Sequence, residues 1–266
     1  MSCSGTRRCG MASASELKQR LVECLRELHL PTFREGFEDL ARRAIQESLS
    51  YEQYLGELAE RECQMRRTNR IERWLRDSDL PVEKSLARFD MKRLPAKVAR
   101  QARTLLDGAF VDARENVLAF GRSGSGKTHL LCGIAQELVR SGRKVLFSPC
   151  SLLVQDLLIA KRDLRLNRYL KRLSSFEVLI IDDLGYVQQS REEMEVLFTL
   201  LAERYERGSV MITSNLPFSK WESIFKDPMT TAAAIDRLVH HSVILELNVS
   251  SYRLEQAKRV QQPDAE

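Results

Sequence analysis

The sequence predicts an α/β domain built on a parallel five-stranded sheet, preceded by a small α-helical domain. Three observations carry that expectation. Beyond residue 115, short β-branched or apolar runs alternate with helical segments, the pattern of a parallel sheet covered on both faces. Ahead of about residue 76, apolar residues recur at helical spacing instead. A chain of 266 residues, 43% hydrophobic, is long enough to fill a core in each part. Charged residues make up 30%, and apolar runs such as Val178 to Ile181 fall far short of the ~18 residues that span a bilayer. No membrane association is expected. Arg7 and Arg8 are not followed by an apolar stretch, so no signal peptide is read.

Residues 1–12 read as a disordered leader, with Met11 as an alternative start. Ser13-x-x-Glu16 is a capping-box signature, and Leu17, Leu21, Cys24, Leu25 and Leu28 follow on one helix. Pro31 reads as its stop. A second helix runs through Phe33, Phe37, Leu40, Ala41 and Ala44, and Ser50-x-x-Gln53 opens a third that continues to Trp74 and Leu75. This N-terminal domain, 13–76, is expected to serve assembly or partner docking. Pro81 and Pro95 bracket a connector, 77–115. In the main domain, 116–260, the strands are Val117–Phe120, Lys144–Phe147, Val178–Asp182, Ser209–Ser214 and Ser242–Leu247, and right-handed crossovers put helices on both faces. Residues 261–266 read as a tail. The six cysteines form no C-x-x-C, which suits reduced cytosolic thiols, and no His or Cys is assigned to a metal.

The strongest chemical signal is Gly121-Arg122-Ser123-Gly124-Ser125-Gly126-Lys127-Thr128, followed by His129. It matches the P-loop pattern G-x-x-x-x-G-K-[ST], with an apolar strand entering and an amphipathic helix leaving. Glycines let successive N–H groups converge on phosphate oxygens, the helix N-terminus adds a positive dipole end, and Lys127 adds a point charge. The Thr128 hydroxyl suits Mg²⁺. A carboxylate should stand at the end of a buried strand downstream, and Val178–Ile181 leads into Asp182 and Asp183. Asp182 would hold Mg²⁺ and Asp183 would polarise the attacking water. A loop or cap role for the acidic pair is the plain alternative. Thr213-Ser214-Asn215 ends the next strand, and Asn215 is the candidate polar group near the γ-phosphate. A turn role before Pro217 competes with it.

Five segments then occur in order: Gly121–Thr128, Ile180–Tyr186, Thr213–Trp221, Ile235–Ser242 and Ser251–Leu254. Together they resemble the IstB-like ATPases, transposition helper proteins encoded beside the transposase in two-gene bacterial insertion elements. These are AAA+ proteins close to the DnaC helicase loaders. The resemblance covers about residues 13–260, including Leu49–Leu55. It implies a three-layer AAA+ P-loop NTPase domain, ATP and Mg²⁺ as ligands, a cognate transposase as partner, and a place beside the bacterial nucleoid in the cytoplasm. Arg237 sits where the group keeps its arginine finger, and Arg253 is similar to the sensor-2 arginine. By themselves the two read as surface charges. Most AAA+ proteins have Glu where Asp183 lies, which implies slow hydrolysis without assembly or a partner. A finger acting in trans implies a homo-oligomer joined head to tail, as a ring or a filament.

The net charge of +5 is concentrated in one place. Lys161, Arg162, Arg165, Arg168, Lys171 and Arg172 face only Asp163 within twelve residues, and Arg66, Arg67, Arg70, Arg73 and Arg76 form a second cluster. Either could be plain solvated surface. Repeated around an assembly, the first suits duplex DNA through phosphate contacts without base reading. The expected function is a DNA-binding ATPase that assists a transposase in target-site selection. A DnaC-like helicase loader, a P-loop kinase, and a nucleotide-gated binding protein without turnover stay open as alternatives.

Overall fold

The computed structural model describes residues 13–185, 190–221 and 228–252. The chain divides into two compact units, Met1–Glu72 and Arg73–Glu266.

Reciprocal caps start two of the three helices of the first unit. In α1 (Ala14–Glu27) the Ser13 N–H donates to the Glu16 carboxylate at 2.7 Å, and the Glu16 N–H to the Ser13 hydroxyl at 3.2 Å. Ser50 and Gln53 do the same for α3 (Tyr51–Asp77). Between them, Pro31 opens α2 (Pro31–Glu47) at a position where its missing N–H costs nothing. So Pro31 both ends one helical run and begins the next. Leu25, Leu40 and Leu58 are buried in this unit. Glu62 is buried with them and accepts from the Thr32 N–H (2.9 Å) and Arg66 Nε (2.7 Å). Burial would raise its pKa, but these hydrogen bonds outweigh burial and hold it below the ordinary value.

The second unit holds a parallel sheet in the order β2-β3-β4-β1-β5, with β1 Asn116–Phe120, β2 Val145–Pro149, β3 Val178–Leu184, β4 Ser209–Ser214 and β5 Ser242–Glu246. All five expected strands are present, with ends shifted by one or two residues. Alternation along each strand feeds two cores. Val117, Ala119, Val178, Ile180 and Met211 face one way, against α6 (Lys127–Arg140) and α4 (Ala96–Thr104). Leu118, Leu179, Ile181 and Ile212 face the other, against α7 (Cys150–Arg162), α8 (Leu166–Ser174), α9 (Arg191–Arg204) and α10 (Pro228–Val239). The result is three layers. Cys132 of α6 is fully covered, and burial pushes its thiol pKa up to about 12.

Much of segment 77–115 is built into the first of these cores, through Leu80, Leu94, Val98, Leu105 and Phe110, the last in the short α5 (Ala109–Asp112). The Ser78 carbonyl also accepts the Phe147 N–H at 2.8 Å, pairing part of the exposed edge of β2. Polar bonds tie the opposite end of the sheet. Asn116 donates to the Leu238 carbonyl (3.1 Å) and accepts from the Val210 N–H (2.9 Å).

Arg204, 2% exposed at the end of α9, donates to the carbonyls of Leu173, Phe176, Glu177 and Ser209 at 2.9–3.2 Å. Burial pushes its pKa down to about 10, so it stays charged at neutral pH. Replacing it with Met removes a donor from each of those four carbonyls, of which Leu173 and Glu177 keep the backbone N–H groups of Phe176 and Ser209. Urea unfolding of Arg204→Met should show a loss of about 1–3 kcal/mol, the scale for leaving buried acceptors without their donor. A loss under about 1 kcal/mol would mean that other groups satisfy the carbonyls.

Candidate functional site

β1 sits between β4 and β5, so the loop that leaves it is flanked by the ends of both neighbours. Two glycines make this loop possible. Gly126 caps α6 at φ 93, and a Cβ there would meet the Phe89 ring at 2.9 Å. Gly124 has φ 79, and a Cβ there would collide with the Ser251 hydroxyl. The loop has no room for side chains at these points. Lys127 folds back over it, its amine donating to the carbonyls of Gly121 (2.9 Å) and Arg122 (3.0 Å). Among the described residues the Ser125 hydroxyl is buried without a hydrogen-bond partner.

Asp182, on β3, joins the helix that leaves this loop to β4. Its Oδ1 accepts from the Thr128 hydroxyl of α6 (2.7 Å) and the Thr213 hydroxyl of β4 (2.6 Å). Thr213 in turn accepts the Asp183 N–H at 2.8 Å. The two adjacent carboxylates differ in setting, and β3 carries an irregularity against β4 between Ile181 and Leu184. Asp183 takes φ 58 and is exposed, while Asp182 is buried at 8% exposure. Thr213, Ser214 and Asn215 are the three polar candidates at this strand end, and the sequence favours Asn215. Two of them have a place: Thr213 secures Asp182, and Asn215 stands with Asp183 on the wall of a cleft. Ser214 turns away, its hydroxyl donating to the Leu184 carbonyl.

The cleft has a volume of about 530 Å³ and lies over the loop. Ser123 to His129, Asp183 and Asn215 line one part of it. The remainder comes from residues the sequence did not mark, among them Phe89, Arg93, Val249 and Tyr252. The Phe89 ring packs edge-on to His129 at 5.2 Å, and His129 Nε2 lies 2.9 Å from the Ser85 carbonyl. Arg93 sits over the Tyr252 ring at 5.0 Å, and the Tyr252 N–H donates to the Gly124 carbonyl at 3.0 Å. The wall thus combines an apolar aromatic face with a loop and helix N-terminus suited to an anion.

Arg237 lies elsewhere. Its guanidinium rests over the Phe198 ring (5.0 Å) and donates to the Ala233 carbonyl (3.2 Å), beside Asn116, Tyr205 and His241 where the strands begin. The structure therefore does not bring Arg237 into its own cleft. Arg253 lies outside the described residues. Lys161, Arg162, Arg165, Arg168, Lys171 and Arg172 are all exposed on α7, α8 and the turn between them. Lys161 pairs with Glu195 at 3.0 Å and Arg162 contacts Asp163 at 3.6 Å. Arg66, Arg67, Arg70, Arg73 and Arg76 are exposed along α3, with Arg66 bonded to Glu62.

The family model for IstB-like ATP binding protein matches residues 23–260. The chain belongs to that family. An insertion sequence ATP-binding protein of Sinorhizobium fredii is 41% identical over 235 residues, covering 88% of this chain and 79% of the relative. A second, from Geobacillus stearothermophilus, is 35% identical over 92% of this chain and 98% of its own length. Among solved structures, DnaI shares the fold with a TM-score of 0.53 at 24% identity, covering 63% of this chain and 94% of that one. AMPPCP-bound DnaA from Aquifex aeolicus does so at 0.55 and 15%, covering 70% and 57%. The fold of this IstB-like chain is that of the AAA+ P-loop proteins. Among its described residues no helix is long and apolar enough to cross a membrane.

The Asp182 contacts lend themselves to a direct test. Thr213→Val removes one donor to the carboxylate and leaves the Asp183 N–H without its acceptor. Thermal unfolding should register a loss of about 1–3 kcal/mol, with Thr213→Ser close to the parent. A Val variant as stable as the parent would show that the hydroxyl carries no weight.

Proposed function

We propose that this chain is an ATPase that assembles head to tail on duplex DNA and assists a transposase in choosing and remodelling a target site. One observation carries the reading. Lys127, the Thr128–Asp182–Thr213 group, Asp183 and Asn215, drawn from three strand ends, meet around a single cleft in a member of an ATP-binding family. The names of its relatives link that family to insertion sequences.

In this reading the phosphates lie on residues 121–128, where the buried Ser125 hydroxyl gains a partner and Lys127 exchanges carbonyls for phosphate oxygens. The adenine lies toward Phe89 and Tyr252. Thr128 and Asp182 offer a hydroxyl and a carboxylate already 2.7 Å apart, a hard-oxygen donor pair that fits Mg²⁺. The ion would neutralise charge on the β- and γ-phosphates. Asp183, held outward by its backbone, orients and polarises the attacking water, and Asn215 bonds the γ-phosphate or that water. An aspartate reaches one methylene less far than a glutamate, which keeps unassisted turnover slow. Arg253 follows Tyr252 directly and acts as a second arginine on the phosphates.

Arg237 belongs to the ATP of the next subunit, since it stands apart from its own cleft. A finger of this kind contributes ~10³-fold or more to turnover. The interface it makes is heterologous, so it closes as a ring or continues as a filament. ATP at the interface favours assembly, and hydrolysis prompted by the transposase releases it. The six exposed bases on α7 and α8 supply the phosphate contacts with DNA.

Two measurements test this. Arg237→Ala should keep ATP binding and lose about 10³-fold of the DNA-stimulated ATPase. Mixing it with Asp183→Asn subunits should restore turnover, because one interface then joins an intact finger to an intact site. Full ATPase in Arg237→Ala alone would overturn the in-trans role. For DNA, replacing Arg165 and Arg168 with Ala should flatten the dependence of log affinity on log salt by roughly one unit per lost phosphate contact. An unchanged slope would remove these residues from the interface.

A further inference from the structure

The turn between α7 and α8 is built in a way that stability does not explain. Its hydrogen bonds form a Schellman motif: the Leu164 N–H donates to the Lys161 carbonyl at 3.1 Å and the Arg165 N–H to the Ala160 carbonyl at 2.7 Å. That motif needs a left-handed residue at its corner, a position glycine fills at no steric cost. Here the corner is Leu164, with φ 55. Seven non-glycine residues among those described have positive φ, and the other six are His29, Ser48, Asp79, Arg114, Asp183 and Glu206. Leu164 is the one apolar side chain in the set. It is also 94% exposed, so it recovers nothing by burial.

The backbone around it is firmly held. Ala160, Leu170 and Leu173 are buried, and the Tyr169 hydroxyl donates to Asp156 of α7 at 3.2 Å, bracing α8 against α7. A branched apolar group thus projects from a rigid corner. Arg162 and Arg165 stand on either side of it in sequence, with Lys161, Arg168, Lys171 and Arg172 beyond, all exposed. A protein-docking hydrophobe of this size would ordinarily sit in an apolar patch. Along the sequence around this one stand six exposed cations against the single acid Asp163, and cations match phosphates.

We propose that Leu164 is a wedge that enters between stacked base pairs of duplex DNA while the surrounding arginines and lysines hold the two phosphate backbones. Apolar side chains that do this unstack one step and kink the duplex. Pyrimidine–purine steps such as TA and CA unstack most cheaply. The wedge therefore gives a protein that makes only phosphate contacts a preference among target sites. The inference rests on the DNA-binding reading above and deepens it.

The test uses the full chain with ATP and duplexes carrying end-placed dyes for energy transfer and 2-aminopurine at a TA step. The parent should bring the ends closer and raise the 2-aminopurine signal. Leu164→Gly relaxes the corner and should raise the melting temperature by about 2–4 °C. It should bind DNA with the parent's salt slope and lose both signals, and its preference for TA-containing duplexes should vanish. Leu164→Phe should keep them. A Leu164→Gly protein that bends and unstacks DNA like the parent overturns the wedge and leaves DNA binding standing. If those signals persist while transposase-stimulated ATPase is lost, the corner docks a protein and the wedge is equally overturned. A parent protein with no salt-dependent DNA affinity overturns the DNA reading itself, and the wedge with it.

Discussion

One carboxylate oxygen carries much of the organisation of the larger unit. Oδ1 of Asp182 accepts from Thr128 on α6 and from Thr213 on β4 while itself lying on β3. A buried carboxylate is costly unless it is hydrogen-bonded, so the site is stable only when all three elements are in register. Thr213 extends the chain of bonds to the Asp183 N–H, which fixes the left-handed residue next door. The glycine loop, the two acidic residues and the β4 end are thereby set relative to one another by a few short bonds. An arrangement of this kind is set before any ligand arrives.

The parts of this arrangement that the sequence reveals are those with a local signature. A P-loop is legible because glycine, lysine and threonine must occur at fixed offsets, and strands are legible because apolar runs are short and bounded. The caps at Ser13 and Ser50 are equally local, and both appear with the expected reciprocal bonds. Long-range partners leave no such trace. Thr213 looks like any strand threonine until β3 and β4 are laid side by side. Phe89 and Tyr252 reach the same cleft from segments far apart in the chain, and no spacing rule links them. The irregularity of β3 at Asp183 is also silent in the sequence, because adjacent acids point to opposite faces of an ordinary strand as well. Pro31 shows the reverse ambiguity: a proline marks a helix boundary without saying which side of it is helical.

The sheet has two ends with different duties. Its carboxyl end holds the cleft, as open α/β sheets tend to do. Its amino end holds Asn116, Tyr205, His241 and Arg237, while Arg204 pins the start of β4 to the end of α8. Both ends are braced by polar groups that reach across strands, so the strand register is fixed twice. With the register fixed, the offset between the cleft and Arg237 becomes a property of the fold rather than of one flexible side chain.

The strand that feeds the glycine loop pairs on both sides with strands that come later in the chain, β4 and β5. Residues after β5 then close over the loop, through the Leu247 N–H to the Phe120 carbonyl at 2.7 Å and the Tyr252 N–H to the Gly124 carbonyl at 3.0 Å. During synthesis β1 therefore waits, unpaired and apolar, until nearly all of the unit has left the ribosome. Such non-local closure slows folding and exposes strand edges to aggregation in the interval. It also means that a ligand specific for the finished cleft recognises only completed chains, and by mass action would favour them over partly folded ones.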